Sequence, residues 1–426
     1  MAPENFVFAH LADAHVGAWP RDPAVRAALR TSVLAALRVV EERGAEFLLI
    51  SGDLFHTPVP DPGEVAPVAA ALRRLVEAGR RIYVIYGSHD YVAHRTSWLD
   101  VLAETGVFLK VAPEAVRTEG TRWTLPFVVD EPTGARIAGI SGRSHGLDRS
   151  YFRAVDSESF RAEPGFKIFQ FHAAVEEYLP PHLRTHIHGI RVDDLPFGCA
   201  YYAGGHIHFS YEGEGPGGGL LVNPGAVFGT SRTDLENGVA GRTHQGVVIV
   251  TVRSGRPSAE FVDTAPRDAV RLVDVDVTGK TLEAARTEVA ASVRAEETAG
   301  TIVFPRVRGT LLDGSLADLG LAEVARSAAR KGVAIHWDVR DLESPGADEQ
   351  GPTTESQIES AEIACLLAEA ALDGNPAVGP EGENLVRELL RELGTPKGEG
   401  ESRTDYTQSR IRAARRILGI RVERSE

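Results

Sequence analysis

The sequence predicts an α/β fold in which two packed sheets are flanked by helices, followed by a small α+β domain and a helical C-terminal tail. The chain has 426 residues, too many for one ordinary hydrophobic core, so two or three domains are expected. Short apolar segments alternate with amphipathic helices in the first two-thirds of the chain, which is typical of α/β proteins. The same alternation starts again after Pro266.

The N-terminal segment predicts a parallel sheet. A strand is expected from Phe6 to Ala12, followed by a helix from Asp22 to Arg43 with an apolar stripe on one face. The run Phe47 to Ser51 is apolar throughout, as in a buried parallel strand. A helix at about 62–79 and a strand from Ile82 to Tyr86 follow. This order predicts right-handed crossovers between neighbouring parallel strands.

Later apolar segments lie closer together and have fewer helices between them. They are Ile137–Ser141, Lys167–His172, Ala200–Gly204, Leu220–Val222 and Val247–Val252. Their spacing predicts a second sheet packed against the first. We therefore place the first domain at residues 1–266.

A second, smaller domain is predicted at residues 267–342. Its expected elements are a strand at Val270–Val277, a helix at 281–297, a strand at Thr301–Arg308, a helix at 316–330 and a strand at Val333–Val339. The third part, residues 343–426, begins with a segment rich in Pro, Gly and acidic residues, which predicts a linker. Helices are then expected at about 355–372, 383–394 and 406–418.

The composition excludes several classes of protein. Hydrophobic residues make up 43% and charged residues 25% of the chain, so a mainly disordered, collagen-like or coiled-coil protein is excluded. No apolar run approaches the roughly 20 residues of a membrane-spanning helix, and the N-terminus lacks the basic segment of a signal peptide. With only Cys199 and Cys365, no disulfide framework is expected, which suits a reducing cytoplasm. We expect a cytoplasmic protein that does not associate with membranes.

The net charge of -14 limits how the chain could bind a polyanion. An acidic protein has no broad basic surface with which to neutralise phosphates. If nucleic acid is the substrate, local basic patches, metal ions or a partner must hold it.

Polar residues, all aspartate or histidine except Ser88, follow most of the predicted strands. They are Asp13 and His15 after the first, Asp53 after the second, Ser88, His89 and Asp90 after the third, then His172, His206 and His208 at the ends of later strands. Because the carboxyl ends of parallel strands meet at one edge of a sheet, we expect these side chains to converge. Histidines separated by one residue point the same way on an extended backbone, so His206 and His208 could both reach one ion.

Carboxylates mixed with imidazoles suit divalent ions of intermediate hardness such as manganese, iron or zinc. A central aspartate could bridge two such ions about 3.5–4 Å apart, an arrangement suited to in-line displacement at phosphorus. The sequence has no Walker A loop. The pattern therefore predicts two-metal phosphoester hydrolysis.

The order D-x-H, G-D, G-S-H-D, a single H and G-H-x-H resembles the signature of calcineurin-like metallophosphoesterases. The longer segments around these motifs are similar to those of the SbcD-type nucleases that repair DNA double-strand breaks. They are HLADAHVG, GDLFH, YGSHDY, FHAAVEEY and YYAGGHIH. The resemblance covers about residues 1–265. It implies a metallophosphoesterase sandwich, and by position it makes residues 267–342 a DNA-capping domain.

The resemblance also implies a role for each site residue. Asp13, His15 and His208 would hold one ion, His172 and His206 the other, and Asp53 would bridge both. His89 would be the catalytic histidine, oriented by Asp90 through its other ring nitrogen. His56 would lie near the DNA phosphates. Ser88 departs from the family, which usually has an asparagine whose carbonyl oxygen binds the second ion, so a looser second position is expected.

For the whole protein, the resemblance implies a DNA exonuclease and endonuclease that uses two divalent ions, with manganese expected, in double-strand-break repair. It further implies a homodimer whose helical tail binds an SbcC-like SMC-type ATPase. Two alternatives stay open: a small-molecule phosphodiesterase of the same superfamily, and a non-catalytic scaffold that keeps the fold. His10 within the first strand is expected to be structural, and the pair His186 and His188 to lie in a surface loop.

Overall fold

The architecture is seen in a computed structural model of the chain. It describes residues 5–20, 22–90, 96–111, 116–117, 122–142, 148–180, 183–184, 187 and 189–343, and the single positions 388, 392, 409, 412, 413 and 416. The helices predicted in the tail therefore lie almost entirely outside the described residues, as do Cys365, His186 and His188.

Strands and helices alternate in the described part of the chain. The strands are β1 (Phe6–Leu11), β2 (Phe47–Ser51), β3 (Arg81–Ile85), β4 (Leu109–Lys110), β5 (Val116–Arg117), β6 (Trp123–Thr124), β7 (Val128–Asp130), β8 (Ala135–Ile140), β9 (Lys167–Phe171), β10 (Tyr201–Ala203), β11 (Tyr211–Glu214), β12 (Leu220–Asn223), β13 (Gly246–Arg253), β14 (Arg256–Asp263), β15 (Val270–Asp276), β16 (Ile302–Thr310), β17 (Ala334–Ile335) and β18 (Leu342–Glu343). The helices are α1 (Pro23–Glu42), α2 (Pro62–Glu77), α3 (Trp98–Glu104), α4 (Asp148–Arg153), α5 (Ser157–Ala162), α6 (Arg232–Val239), α7 (Leu282–Ala295) and α8 (Leu321–Ala329). Short 3₁₀ turns lie at Glu176–Tyr178, Val192–Asp194, Arg267–Ala269 and Leu316–Leu319.

Two six-stranded sheets form the sandwich that the sequence predicts. The placement of Val247–Val252 in the second sheet is wrong, because β13 pairs with β1 in the first sheet. The first has the order β14-β13-β1-β2-β3-β4, in which β1 to β4 are parallel and β13 is antiparallel to β1. The second has the order β11-β12-β10-β9-β8-β7, and its central strands β8, β9, β10 and β12 are parallel. In both sheets the parallel strands place their carboxyl ends at one edge, which is where a ligand site is expected.

Alternating side chains of β1 separate the two cores. Phe6 and Phe8 pack between the sheets, where the Phe8 and Phe47 rings stack with their centroids 4.9 Å apart. Ala9 and Leu11 face α1 and α2 on the other side. Both helices begin with an Asp-Pro pair, in which the aspartate side chain caps the helix and proline occupies its first turn. Burial of both faces explains why β2 is apolar throughout.

His10 is the polar exception in β1, and its structural role is confirmed. It is fully buried, and its two ring nitrogens each lie 2.9 Å from a hydroxyl oxygen, Tyr201 Oη in the second sheet and Ser51 Oγ in the first. Burial lowers the pKa of His10 to about 3, so the ring is neutral at physiological pH. It links the sheets through hydrogen bonds and without charge.

The predicted strand-helix-strand-helix-strand unit at 270–339, called the small lobe below, is confirmed. Its strands β15, β16 and β17 are parallel, with α7 and α8 in the connections. The single helix predicted at 316–330 is wrong. It divides into a 3₁₀ turn and α8 at Gly320, whose φ of 71° lies in the left-handed region that a helix interior does not use.

The structure divides into two compact units. The first comprises residues 1–278, 283–309 and 317–342, and it contains both sheets of the sandwich. The second comprises residues 279–282, 310–316 and 343–426. Within the second unit, Leu312 N donates to the Lys280 carbonyl at 2.9 Å and Thr310 Oγ1 donates to Glu343 at 2.7 Å.

None of the helices in the described residues has the length and apolar character that crossing a membrane requires.

Candidate metal centre

The loops that follow β1, β2 and β3 meet at the carboxyl edge of the first sheet, as expected. Asp13 N donates to the Gly52 carbonyl at 3.2 Å, and His15 N donates to the Asp53 carbonyl at 2.9 Å. His89 N donates to Asp53 Oδ1 at 2.8 Å. Backbone hydrogen bonds thus hold the three loops together before any ligand contributes.

Several candidate site residues have unusual backbone conformations. Asp13, His15, Asp53 and His206 have φ angles of 49°, 45°, 50° and 93°. Non-glycine residues rarely occupy this left-handed region, and each costs of order 1–3 kcal/mol. Four of the six described non-glycine residues with positive φ therefore belong to the predicted site. Strain of this kind concentrates where the position of a side chain matters for function.

Two groups of three side chains could each hold a metal ion. The first donor group is Asp13, His15 and His208, and the second donor group is Asp53, His172 and His206. Within each group, the potential ligand atoms all lie within 4.8 Å of one another. Carboxylate and imidazole donors in this ratio fit a divalent ion of intermediate hardness.

The Asp53 carboxylate lies between the two groups. Its Oδ2 atom is 3.2 Å from His172 Nε2 in the second group and 3.7 Å from His15 Nε2 in the first. Oxygen atoms of one carboxylate could therefore serve both groups.

The expectation that His206 and His208 could both reach one ion is wrong. His206 belongs to the second donor group and His208 to the first. The reason is local: β10 ends at Ala203, and the positive φ of His206 means that the backbone is not extended there. The side chains of residues i and i+2 share a face only on an extended strand.

Hydrogen bonds to the second ring nitrogen orient the donor histidines. The Nδ1 atom of His172 lies 2.8 Å from the Ser51 carbonyl, and that of His208 lies 2.9 Å from Asp234 Oδ2. Since these oxygens can only accept, each Nδ1 carries the proton, and Nε2 is left to face the site. His172 Nε2 is buried and makes no hydrogen bond in the described part of the chain. An orphaned imidazole nitrogen beside a carboxylate fits a metal ligand.

Comparison with known proteins is consistent with this geometry. The profile of the calcineurin-like phosphoesterase family matches residues 6–210. This segment is a calcineurin-like phosphoesterase domain. It spans the strands from β1 to β10 and every residue of the two donor groups.

Relatives of this chain include three archaeal proteins named DNA double-strand break repair protein Mre11. The protein of Archaeoglobus fulgidus is 26% identical over 65% of this chain, that of Methanococcus maripaludis 27% over 47%, and that of Thermoplasma acidophilum 25% over 52%. The matches cover 62%, 51% and 55% of those proteins. The chain thus spans less than two thirds of the length of each.

Charges within the candidate metal centre shift the pKa values of its side chains. Burial by itself lowers the pKa of His208, but Asp234 and Asp13 outweigh it and raise this pKa to about 9. Burial also lowers the pKa of His172, but Asp53 outweighs this effect and raises the pKa to about 10. Burial raises the pKa of Asp13 to about 6, against the charges of His172 and His208. A cation at these nitrogens must therefore displace protons as it binds.

A third cluster of rings borders the first donor group. His15, His56 and His89 have potential ligand atoms within 4.8 Å of one another, and the rings of His56 and His89 stack with centroids 5.1 Å apart. His56 and His89 thus lie beside the metal-type donors. His89 is exposed, so it is accessible to a substrate.

The expected contact between Asp90 and the His89 ring is wrong. His89 Nδ1 lies 2.9 Å from the His56 carbonyl oxygen. The Asp90 carboxylate is fully buried and accepts from the backbone N–H groups of Leu54, Phe55 and Gly87 instead. Asp90 therefore fixes the loops that follow β2 and β3, and a backbone carbonyl orients His89. Burial, with the nearby Asp53 charge, raises the pKa of Asp90 to about 7.

Ser88 lies close to the second donor group. Its Oγ atom donates to Asp53 Oδ2 at 3.3 Å. The hydroxyl is therefore positioned by the carboxylate between the groups, and its own role as a ligand stays a prediction.

Asp234 was not among the residues selected from the sequence. It lies in the first turn of α6, 26 positions after the histidine that it contacts. The signal that was available is a capping box, since Ser231 and Asp234 have the spacing that starts a helix. That pattern predicts a helix start but gives no indication of which side chain the helix approaches.

Proposed function

We propose that this chain is a metal-dependent phosphodiesterase that cleaves DNA, acting as exonuclease and endonuclease in the processing of double-strand breaks. The observation that carries the proposal is the position of Asp53. Its carboxylate lies between two separate donor groups, at 3.2 Å from His172 and 3.7 Å from His15. A shared carboxylate between two three-residue groups suits a pair of divalent ions.

In this proposal, Asp13, His15 and His208 would hold one ion and His172 and His206 the other, and Asp53 would serve both. A pair of divalent ions supplies hydroxide at neutral pH and neutralises charge on the phosphodiester. We expect Mn²⁺, since it accepts both carboxylate oxygens and imidazole nitrogens. The donor chemistry alone also admits iron and zinc.

The remaining residues position the substrate and handle protons. His89, with Nδ1 bound to the His56 carbonyl, is placed to stabilise the transition state or to protonate the leaving alkoxide from Nε2. His56, stacked against His89, would lie near the phosphates of the DNA. Asp90 supports this arrangement by holding the backbone of the same loops.

The names of the archaeal relatives support DNA as the substrate and repair as the process. The motif resemblance supports an SbcC-like SMC-type ATPase as partner, bound by the tail at 343–426, and a homodimer in the cytoplasm. It also supports the division into a nuclease domain (1–266), a DNA-capping domain (267–342) and a partner-binding tail. With a net charge of -14, the isolated chain should bind DNA weakly and in a salt-sensitive way.

The experiment is a cleavage assay with the purified chain, Mn²⁺, linear duplex DNA and a small chromogenic phosphodiester. The proposal expects DNA degradation that stops when EDTA removes the metal and that is lost in Asp53→Asn. Hydrolysis of the chromogenic diester without DNA cleavage would favour a small-molecule phosphodiesterase. No hydrolysis of either substrate with Mn²⁺, iron or zinc would favour a scaffold that has kept the fold.

A further inference from the structure

His208 and His172 are oriented by different kinds of group. The ring of His172 is held by a backbone carbonyl within the sandwich, whereas the ring of His208 is held by a side chain, Asp234 in α6. Asp234 Oδ2 also accepts from the backbone N–H groups of Thr230 at 2.8 Å and Ser231 at 3.0 Å. The start of α6 therefore fixes this carboxylate, and the carboxylate fixes His208.

The same helix is anchored to the small lobe through Arg232. The Arg232 side chain is only 4% exposed, and a buried guanidinium requires partners for its N–H groups. Its Nη1 donates to the Phe304 carbonyl in β16, and its Nη2 lies 3.3 Å from Asp274 Oδ1 in β15. The lobe anchor, Arg232, therefore lies only two positions before Asp234, the group that orients His208.

A second ion pair joins α6 to β16. Glu236 Oε1 accepts from Arg232 Nε at 2.8 Å and from Arg306 Nη2 at 2.6 Å. Arg306 lies in β16, two residues beyond Phe304. Successive turns of α6 thus contact the same strand of the lobe.

The loop that carries Asp13 and His15 meets the lobe at the same strand. Trp19, with a φ of 61°, donates from its indole nitrogen to the Gly229 carbonyl at 3.0 Å, just before α6. Its ring centroid lies 5.9 Å from that of Phe304 and 5.0 Å from that of His336. The loop that supplies Asp13 and His15 and the helix that orients His208 are therefore both in contact with β16.

We propose that Asp234 is a positioning residue for His208, and that the small lobe sets the geometry of the first donor group through Arg232 and Trp19. The second donor group is independent of the lobe in this proposal. Its His172 is held by Ser51 and lies beside Asp53, both within the sandwich. The inference rests on the proposed function in one respect, namely that the two donor groups bind divalent ions.

The first test measures metal binding and not activity. Full-length protein with ¹⁵N-labelled histidine rings is titrated with Zn²⁺, which is diamagnetic, and the rings of His208 and His172 report the first and second positions. Asp234→Ala should weaken Zn²⁺ binding at the first position by roughly 10- to 100-fold and leave the second unchanged. The ¹⁵N shifts should also show His208 losing its Nδ1–H tautomer. Asp234→Asn should restore part of the affinity, because its amide oxygen still accepts a hydrogen bond.

A purely structural role for Asp234, as a helix-start residue, gives a different result. Asp234→Ala would then lower the melting temperature but leave the His208 tautomer and both Zn²⁺ affinities unchanged. That outcome would overturn the assignment of Asp234 as a positioning residue.

The coupling to the lobe is tested with Arg232→Met and a matched control, Arg242→Met. Arg242 follows α6 and its side chain bonds to Asn237. Arg232→Met should weaken Zn²⁺ binding at the first position about tenfold and leave binding at the second position unchanged. Arg242→Met should change the affinity of neither position. Should Arg232→Met fail to fold, Trp19→Phe removes the indole N–H bond to Gly229 and reduces the ring contacts with Phe304 and His336. It should weaken Zn²⁺ binding at the first position by a smaller factor.

Equal changes in Zn²⁺ affinity at both positions of Arg232→Met, or no change at either, would overturn the proposed coupling between the lobe and the first donor group. An unaltered protein that bound neither Zn²⁺ nor Mn²⁺ at either position would refute the proposed function itself, and the inference with it. The two failures are distinguishable because the unaltered protein is titrated first.

Discussion

The Nε2 atoms of His15 and His208 lie 3.0 Å apart, although 193 positions separate the two residues in the chain. Burial and the charge of His208 lower the pKa of His15, whereas Asp234 and Asp13 raise that of His208 against the effect of burial. The His208 ring is therefore the donor in this contact and the His15 ring the acceptor. Both nitrogens converge on the position beside Asp13 that an ion would share.

His89→Ala should abolish hydrolysis without removing the metal. His89 belongs to neither of the two donor groups, so both groups should still bind their metal ions. The loss of proton transfer should lower kcat by roughly 10²- to 10⁴-fold. Metal content is measured by elemental analysis and turnover by DNA degradation with Mn²⁺. The control is His244→Ala, since His244 pairs with Asp263 away from the site and should retain full activity. Loss of bound metal in His89→Ala would contradict its assigned role.

Gly87→Ala should disrupt metal binding although the change adds one methyl group. A Cβ atom at this position would lie 2.0 Å from Asp53 Oδ1, so the carboxylate between the donor groups must move. We expect weaker binding at both positions, measured by calorimetric titration with Mn²⁺.

Gly79→Ala serves as the control for the glycine effect. Gly79 has a φ of 81° and no atom within 4 Å of an added Cβ. Its replacement should cost about 1 kcal/mol of folding free energy through backbone strain and leave metal binding unchanged. Normal Mn²⁺ titration of Gly87→Ala would show that Asp53 does not bridge the groups.

Ser88→Asn should tighten the second metal position. An asparagine carbonyl reaches farther than the serine hydroxyl, which donates to Asp53 Oδ2 at 3.3 Å. One added neutral oxygen contact should contribute about 1 kcal/mol, roughly fivefold in affinity. Titration of the variant beside the unaltered protein measures this at each position. Ser88→Ala is the matched variant, and equal affinities in all three proteins would remove Ser88 from the ligand set.

The ion pair between Arg81 and Asp130 should stabilise the sandwich. It joins β3 in the first sheet to β7 in the second through two bonds of 2.7 and 2.8 Å, and Asp130 also accepts from the Tyr83 and Thr133 hydroxyls. Asp130→Asn should lower the free energy of unfolding by about 2–3 kcal/mol at neutral pH, because it leaves a partly buried guanidinium without its counter-ion. Urea unfolding measures this difference.

The same contribution should depend on pH. Burial by itself raises the pKa of Asp130, but bonds from Arg81, Thr133 and Tyr83 outweigh it and hold the pKa below its ordinary value of 3.8. A lowered folded-state pKa stabilises the protein above the unfolded-state pKa, and this stability is lost as pH falls through the lowered value. The difference between Asp130→Asn and the unaltered protein should therefore shrink in acid. Glu260→Gln, in a solvent-exposed pair with Arg43, should show no measurable difference at any pH.

Much of the fold followed from local sequence patterns. The apolar run of β2, the Asp-Pro starts of α1 and α2, and the alternation in the small lobe each depend on residues close together in the chain. The ends of a helix do not follow from apolar spacing where the conformation of a single residue determines them. Gly320 divides a helix that the apolar spacing alone had predicted as continuous, because spacing does not report φ.

The candidate metal centre shows the same contrast between what local sequence patterns predict and what they do not. Strand ends rich in Asp and His predicted which side chains would converge, because parallel strands end at one edge of a sheet. The pattern did not predict that His206 and His208 would join different donor groups, since this depends on a positive φ at His206. It also did not predict that Asp90 bonds to backbone N–H groups while the His56 carbonyl orients His89.

By itself, the sequence determined the two-sheet α/β architecture, the family signature and the set of metal-type side chains, because each depends on short patterns of residues that are close together in the chain. Only the tertiary structure decided how those side chains are grouped, that Asp53 lies between the groups, and that Asp234 and Arg232 connect His208 to β16. These contacts join residues from 26 to 193 positions apart. No local pattern fixes such distances, since they arise only when the sheets and α6 pack together.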